Sequence, residues 1–290
     1  MVRKLTLALA APLLLIASSC AEEGSQDVLT GDAAVAAVRA APDAAAEAGS
    51  GRFEMTIAFD TPEGAFDISA TGGFAGEQMS MEMDFGESFA TMADAAGEEL
   101  PPGFDEPMQI VVDGDTAYLR MPMLESLTGT TGWLSLTPEE LGQAGSSFGG
   151  TPGATDPSQL LETLRGVSDD IEEVGTEEVR GVETTHLTAT VDLQKAFDQL
   201  PAEQREQLEG QLGDIDAAVP VDIWIDGDSL VRRMEMDLTP IMGQAMGGAA
   251  GSATMRIEFF DYGEDVAIEV PDASEVTPWG DVMGGFGGAG

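Results

Sequence analysis

Hydrophobic positions along this chain fall first at helical spacing and then, after Gly49, at every second residue. From Asp32 to Ala48 an Ala-rich run carries Val35, Val38 and Ala41 or Pro42 on one side, which predicts a single N-terminal helix with a break near the proline. Beyond it Phe53, Met55, Ile57 and Phe59 alternate with Arg52, Glu54, Thr56 and Ala58. Phe66, Ile68 and Ala70 then alternate with Asp67, Ser69 and Thr71, and Met79, Met81, Met83 and Phe85 with Ser80, Glu82 and Asp84. Successive side chains on a strand point to opposite faces, so these runs predict three consecutive antiparallel strands that share one apolar face.

Two later segments read strand, Asp-Gly-Asp, strand: Met108 to Val112 with Thr116 to Arg120, and Val221 to Ile225 with Leu230 to Asp237. Asp-Gly supplies the positive φ angles of a tight hairpin turn, and the spacing lacks the terminal Glu of a calcium-binding loop. Trp133 to Leu136 is a short strand ending at Thr137-Pro138-Glu139-Glu140, where Thr caps, Pro opens and Glu140 closes the capping box of a short helix. After a Gly/Ser loop, Asp156-Pro157 starts a helix bearing Leu160, Leu161 and Leu164. Ile171 to Val179 and Val182 to Val191 form a hairpin around Arg180-Gly181, and a third helical stretch runs from Asp192 past Pro201 to about Leu212. Pro240 to Ala253 is a Gly/Ala/Met-rich connection before the last strand, Met255 to Tyr262, and the Gly-rich residues 278–290 are expected to be disordered.

The start of the chain has a different pattern. Arg3 and Lys4 precede an apolar stretch from Leu5 to Ile16, and the small residues Ala17, Ser18 and Ser19 lead to Cys20. This is a secretory signal peptide over residues 1–19, shorter than the roughly 20 apolar residues that span a bilayer. Cys20 is the only cysteine, which excludes an internal disulfide or a CxxC redox pair. Its position resembles a bacterial lipobox, in which the thiol receives a diacylglyceryl group before the leader is cut. The alternative is a secreted soluble chain with an unpaired thiol. Residues 20–30 then read as a lipidated cysteine with a flexible tether, and 31–277 as one domain held on the outer face of the cell membrane by its acyl chains.

Charge narrows the partners. The chain has 12 basic and 53 acidic residues; without Arg3 and Lys4 it keeps 10 against 53, a net −43, and Lys195 is then its only lysine. Such a field repels phosphate backbones, which excludes nucleic acid. It reflects either a saline habitat that supplies screening cations or a composition biased toward Ala, Gly, Asp and Glu.

Catalytic chemistry finds little footing. His186, the only histidine, shares parity with Val182 and Thr184 and falls opposite Leu187, Ala189 and Val191, which places it on the less apolar face of its strand. No GxSxG elbow and no GxxxxGK[ST] loop occurs, and no pair among so many carboxylates stands out as a glycosidase couple. No enzyme activity, cofactor or metal site is expected. Methionine is the unusual feature: Met79, Met81 and Met83 line one strand face and Met234 and Met236 another. Unbranched thioethers adapt to irregular partners, so these residues, with Phe53, Met55, Ile57, Phe59, Phe66, Ile68 and Phe85, are candidates to line a pocket for acyl chains; ordinary core filling is the other reading.

The order of elements, with Val112-Asp113-Gly114-Asp115-Thr116-Ala117-Tyr118-Leu119-Arg120, Gly132-Trp133-Leu134, Val174-Gly175 through Arg180-Gly181-Val182-Glu183-Thr184-Thr185-His186 and Val221-Asp222-Ile223-Trp224-Ile225-Asp226 before Leu230-Val231-Arg232, resembles the actinobacterial LppX/LprG-type lipoproteins, related in fold to the LolA and LolB carriers. The resemblance implies an α+β domain: a strongly curved antiparallel sheet, a half-barrel, with helices on its concave face around an apolar cavity. It implies a monomer that binds lipid or glycolipid and carries it between envelope layers. A lipid-anchored scaffold or sensor module with no ligand remains the alternative.

Overall fold

The computed structural model describes residues 32–286 apart from 62–63, 98, 130, 138–139, 141–159, 162–163, 165–170, 193–217 and 241–250. The leader, Cys20, most of the second Leu-bearing helix and the helical stretch after Asp192 lie outside the described residues.

Alternation dictates the sheet. β1 (Ser50–Thr61), β2 (Gly64–Ala75), β3 (Gln78–Asp84), β4 (Met108–Asp113), β5 (Thr116–Arg120) and β6 (Trp133–Leu136) follow one another as a meander. A second meander runs through β7 (Glu172–Val179), β8 (Val182–Asp192), β9 (Ala218–Ile225), β10 (Val231–Asp237) and β11 (Ser252–Phe260). The two join where β1 pairs antiparallel with β11, Phe53 opposite Phe259 and Met55 opposite Ile257. A short β12 (Val276–Pro278) adds parallel to β6, giving one open twelve-stranded sheet in the order β12-β6-β5-β4-β3-β2-β1-β11-β10-β9-β8-β7.

Helix α1 (Asp32–Ala48) crosses the apolar face, burying Ala34, Ala37, Val38, Ala41, Pro42 and Ala45. The expected break at Pro42 does not occur. Proline there removes one helical hydrogen bond, and burial of its ring offsets that cost. α2 (Gly86–Ala96) and α3 (Pro122–Thr128) fill connections between strands, and each ends on a left-handed glycine, Gly97 and Gly129.

Three further expectations need correction. Phe85 does not extend β3: the strand stops at Asp84, whose carboxylate accepts the Gly86 N–H at 2.8 Å, and Phe85 becomes the residue that opens α2. The first Asp-Gly-Asp makes the expected two-residue turn, with Gly114 at φ 55°, but in the second the left-handed residue is Ser229, at φ 64°. There Asp226 is buried and its Oδ1 accepts the N–H groups of Asp228 and Leu230, so a side chain closes a longer loop. Finally, the tail from 278 is not structureless: β12 continues into α4 (Trp279–Phe286), and Trp279 and Val282 pack against the core.

Candidate functional site

Register aligns the inward side chains into continuous rows. One row runs Phe259, Phe53, Gly72, Met81, Ile110, Leu119, Leu134, and the next Ile223, Met234, Ile257, Met55, Ala70, Met83, Met108. Both rows are apolar, and α1 together with Leu160, Leu161 and Leu164 closes over them as a single core. Gly72 is required in its row: a Cβ there would come within 2.5 Å of the Phe53 ring and 2.2 Å of the Ser80 carbonyl oxygen.

All twelve sequence-predicted pocket residues face this surface or its edge, but not equally. Phe53, Met55, Ile57, Met79, Met81, Met83 and Met234 are buried. Phe59, Phe66, Ile68, Phe85 and Met236 are partly exposed and gather toward the end of the sheet where β1 finishes. Phe59 stacks on Phe66 at 4.9 Å between centroids, and Phe85, Phe89 and Phe104 continue the aromatic edge.

The opposite end holds a cavity of about 320 Å³ lined by Pro42, Ala45, Ala46, Gly49, Phe74, Gly76, Leu161 and Phe259. None of the twelve candidates lines it. Its floor is built by Phe74 and Phe259, braced by Tyr262, whose ring centroid lies 6.2 and 6.3 Å from theirs. Burial pushes the Tyr262 phenol well above its ordinary pKa, with the neighbouring Asp226 adding to the rise against the opposing pull of Arg232, and its hydroxyl donates to the Val231 carbonyl at 3.0 Å. The cavity's side-chain lining is thus apolar, and the neutral phenol of Tyr262 stands behind it. Among the described residues no group of three His, Cys, Asp or Glu side chains is placed to hold a metal.

The convex face carries the polar chemistry. His186 lies there, as its parity predicts, but it is enclosed: its side chain is 13% exposed, stacked on Trp224 at 4.1 Å, with Asp222 at 2.8 Å from Nε2 and Glu177 at 3.2 Å from Nδ1. It faces away from the cavity. Arg180, left-handed at φ 50° in the β7–β8 turn, reaches Glu258 on β11 and Glu54 on β1. Strands lie about 4.8 Å apart, so this contact requires the hairpin tip to curl across the convex face, and it ties β7 and β8 to β11 and β1 there.

Burial alone would raise the Glu258 carboxyl, but hydrogen bonds from Arg180 and Arg233 outweigh it and hold its pKa below the ordinary 4.5. A depressed carboxyl contributes stability above its unfolded-state pKa and loses it as pH falls through the folded one. Glu258→Gln is expected to cost about 1–2 kcal/mol at pH 7, since Arg180 is partly solvent-screened. Urea unfolding near neutral pH and in acid checks this: the variant's deficit should shrink below the ordinary carboxylate range, and a deficit that persists there refutes the assignment.

No protein-family model matches the chain. An uncharacterized 31.2 kDa protein of Streptomyces griseus is 29% identical over 234 residues, 77% of this chain and 67% of that protein. A putative lipoprotein of Streptomyces coelicolor is 27% identical over 179 residues, 60% of this chain and 52% of its own length. The crystal structure of the Mycobacterium tuberculosis lipoprotein LppX aligns with 83% of this chain and 100% of its own, at 18% identity and a TM-score of 0.46. In its hairpin motifs and its open curved sheet the chain resembles the actinobacterial lipoproteins of the LppX/LprG type.

Proposed function

We propose that this protein is a lipid-anchored envelope lipoprotein that holds acyl chains of a lipid or glycolipid on its concave face and carries them between envelope layers. Cys20 would bear the anchor, and residues 21–30 would tether the domain to the bilayer, where two or three acyl chains at about 0.8 kcal/mol per buried methylene give stable attachment. The observation that supports this reading is the cavity of about 320 Å³ between the end of α1 and Phe74 and Phe259 of the sheet. That volume lies at the small end of ligand pockets, roughly 300–1,000 Å³. A longer chain would extend into the face lined by Met79, Met81 and Met83, whose thioethers change rotamer at low cost.

The close packing of Phe53, Met55 and Met234, each no more than 2% exposed, favours the second reading, a lipid-anchored scaffold or sensor module with a filled core. Solvent extraction of the purified Cys20→Ser chain, which carries no anchor of its own, separates the two. Mass spectrometry is expected to find a stoichiometric non-covalent acyl lipid; a lipid-free protein would leave the scaffold.

A further inference from the structure

The cavity runs inward from the surface beside the end of α1. Its lining passes from the exposed Ala46, Gly49 and Gly76 to the buried Pro42, Leu161 and Phe259. Pro42 and Gly49 stand seven residues apart, about 10 Å along the helix axis. At the outer end the Gly76 N–H donates to the Gly49 carbonyl at 2.8 Å, and a Cβ built on either glycine would meet no heavy atom closer than 4.0 Å. The inner end is closed. Phe53 stands opposite Phe259, and Phe53, Met55 and Met234 are fully buried, with no water-sized space beside them. Phe74 is held from behind: a Cβ on Gly51 would come within 2.8 Å of its ring, and Tyr262 borders it.

Volume sets the number of chains such a pocket can take. A cavity of about 150 Å³ accepts the six carbons of benzene, about 25 Å³ per carbon, and a water in the liquid occupies about 30 Å³. The cavity of about 320 Å³ therefore holds about eleven to thirteen hydrocarbon carbons. One medium-length chain fills it, whereas two chains sharing it would each keep only about six carbons from water. We infer that the pocket takes a single hydrocarbon chain and leaves the head outside, which rests on the lipid-carrier reading above. Its ligand class is then monoacyl, a fatty acid, a monoacylglycerol or a lysolipid, in preference to a diacyl or triacyl lipid. A chain longer than about thirteen carbons either pushes neighbouring side chains aside or leaves methylenes in water, and both weaken its hold.

The test offers the delipidated Cys20→Ser chain an equimolar set in neutral detergent: octanoyl-, decanoyl-, dodecanoyl-, hexadecanoyl- and octadecanoylglycerol, dodecanoyl lysophosphatidylcholine and didodecanoylglycerol. Lipid retained through gel filtration is quantified by mass spectrometry. Micelle and pocket both shelter a methylene, so retention should stay level up to the length the pocket covers and fall beyond it. The expected result is one dodecanoyl lipid per protein whichever head it carries, with octadecanoylglycerol and didodecanoylglycerol each retained at least about tenfold less. Leu161→Ala removes three carbons from the buried lining and should lengthen the favoured chain by about that number; where this variant does not fold, Leu161→Val does so by about one. Didodecanoylglycerol retained as well as dodecanoylglycerol, retention that follows the head and not the number of chains, or a length profile that stays level to octadecanoylglycerol overturns the single-chain pocket and leaves the carrier reading standing. Retention of none of these lipids overturns both.

Discussion

Under the proposed lipid-carrier reading, replacing Ala45 with phenylalanine is expected to empty the protein of lipid while leaving it folded. Ala45 lies in the last turn of α1, is buried, and lines the cavity of about 320 Å³. A benzyl group there occupies the space a hydrocarbon chain would take, and because the cavity exists beforehand the added ring avoids the roughly 1–3 kcal/mol that overpacking a full core costs. Lipid recovered from purified protein should fall at least tenfold, and the melting temperature should stay the same or rise. A variant that retains lipid at the unsubstituted level would move the acyl site away from this end of the sheet. One that binds no lipid but also melts far lower would show a folding defect, and the smaller Ala45→Leu replacement then separates the two effects.

The largest loss of stability is expected from Phe53→Ala. Phe53 is fully buried at the centre of the sheet, opposite Phe259 on β11 and above Gly72 on β2, so it touches both halves of the molecule at their junction. Truncating a buried phenylalanine costs about 3–5 kcal/mol through lost transfer energy and the void left behind. The void cannot easily collapse, because the backbone beneath it is held by the β1–β2 and β1–β11 ladders. For a domain of this size each kcal/mol moves the melting temperature by about 2–4 °C, so a fall of about 6–20 °C is expected by calorimetry. A shift under 2 °C would show that the ring is not the keystone its position implies.

These two positions contrast in how visible they are in the sequence. Phe53 stands in plain alternation with Met55, Ile57 and Phe59, and a buried aromatic face follows from that period alone. Ala45 and the other small lining residues, Ala46, Gly49 and Gly76, give no such signal: they border a cavity because they fill too little of it, and a deficit of volume has no pattern along a chain. Phe74 and Phe259 were within reach of the pattern, since each continues a period-two run, Phe74 through Gly72 and Phe259 through Ile257. What hid Phe74 is Gly72, which breaks the apolar run where Phe53 needs room.

Helix α2 shows another limit. Its opening residue is Phe85, which offers no side-chain acceptor, and the alternation of Met79, Met81 and Met83 runs straight into it. A clear local signature of that helix is its stop at Gly97, left-handed at φ 70°. Likewise His186 was placed on the correct face by parity, but its enclosure by Glu177, Asp222 and Trp224 depends on residues from two other strands.

The chain by itself determined where the first eleven strands and the first helix lie and which face of each is apolar, because these follow from local spacing and from the fixed periods of helix and strand. Only the tertiary structure decided that β1 joins β11 some two hundred residues later, that the β7–β8 tip clamps the convex face through Arg180, and that the free volume lies beside the end of α1. Pairing between distant strands, curvature and empty space are properties of how whole elements meet, and no short-range pattern carries them.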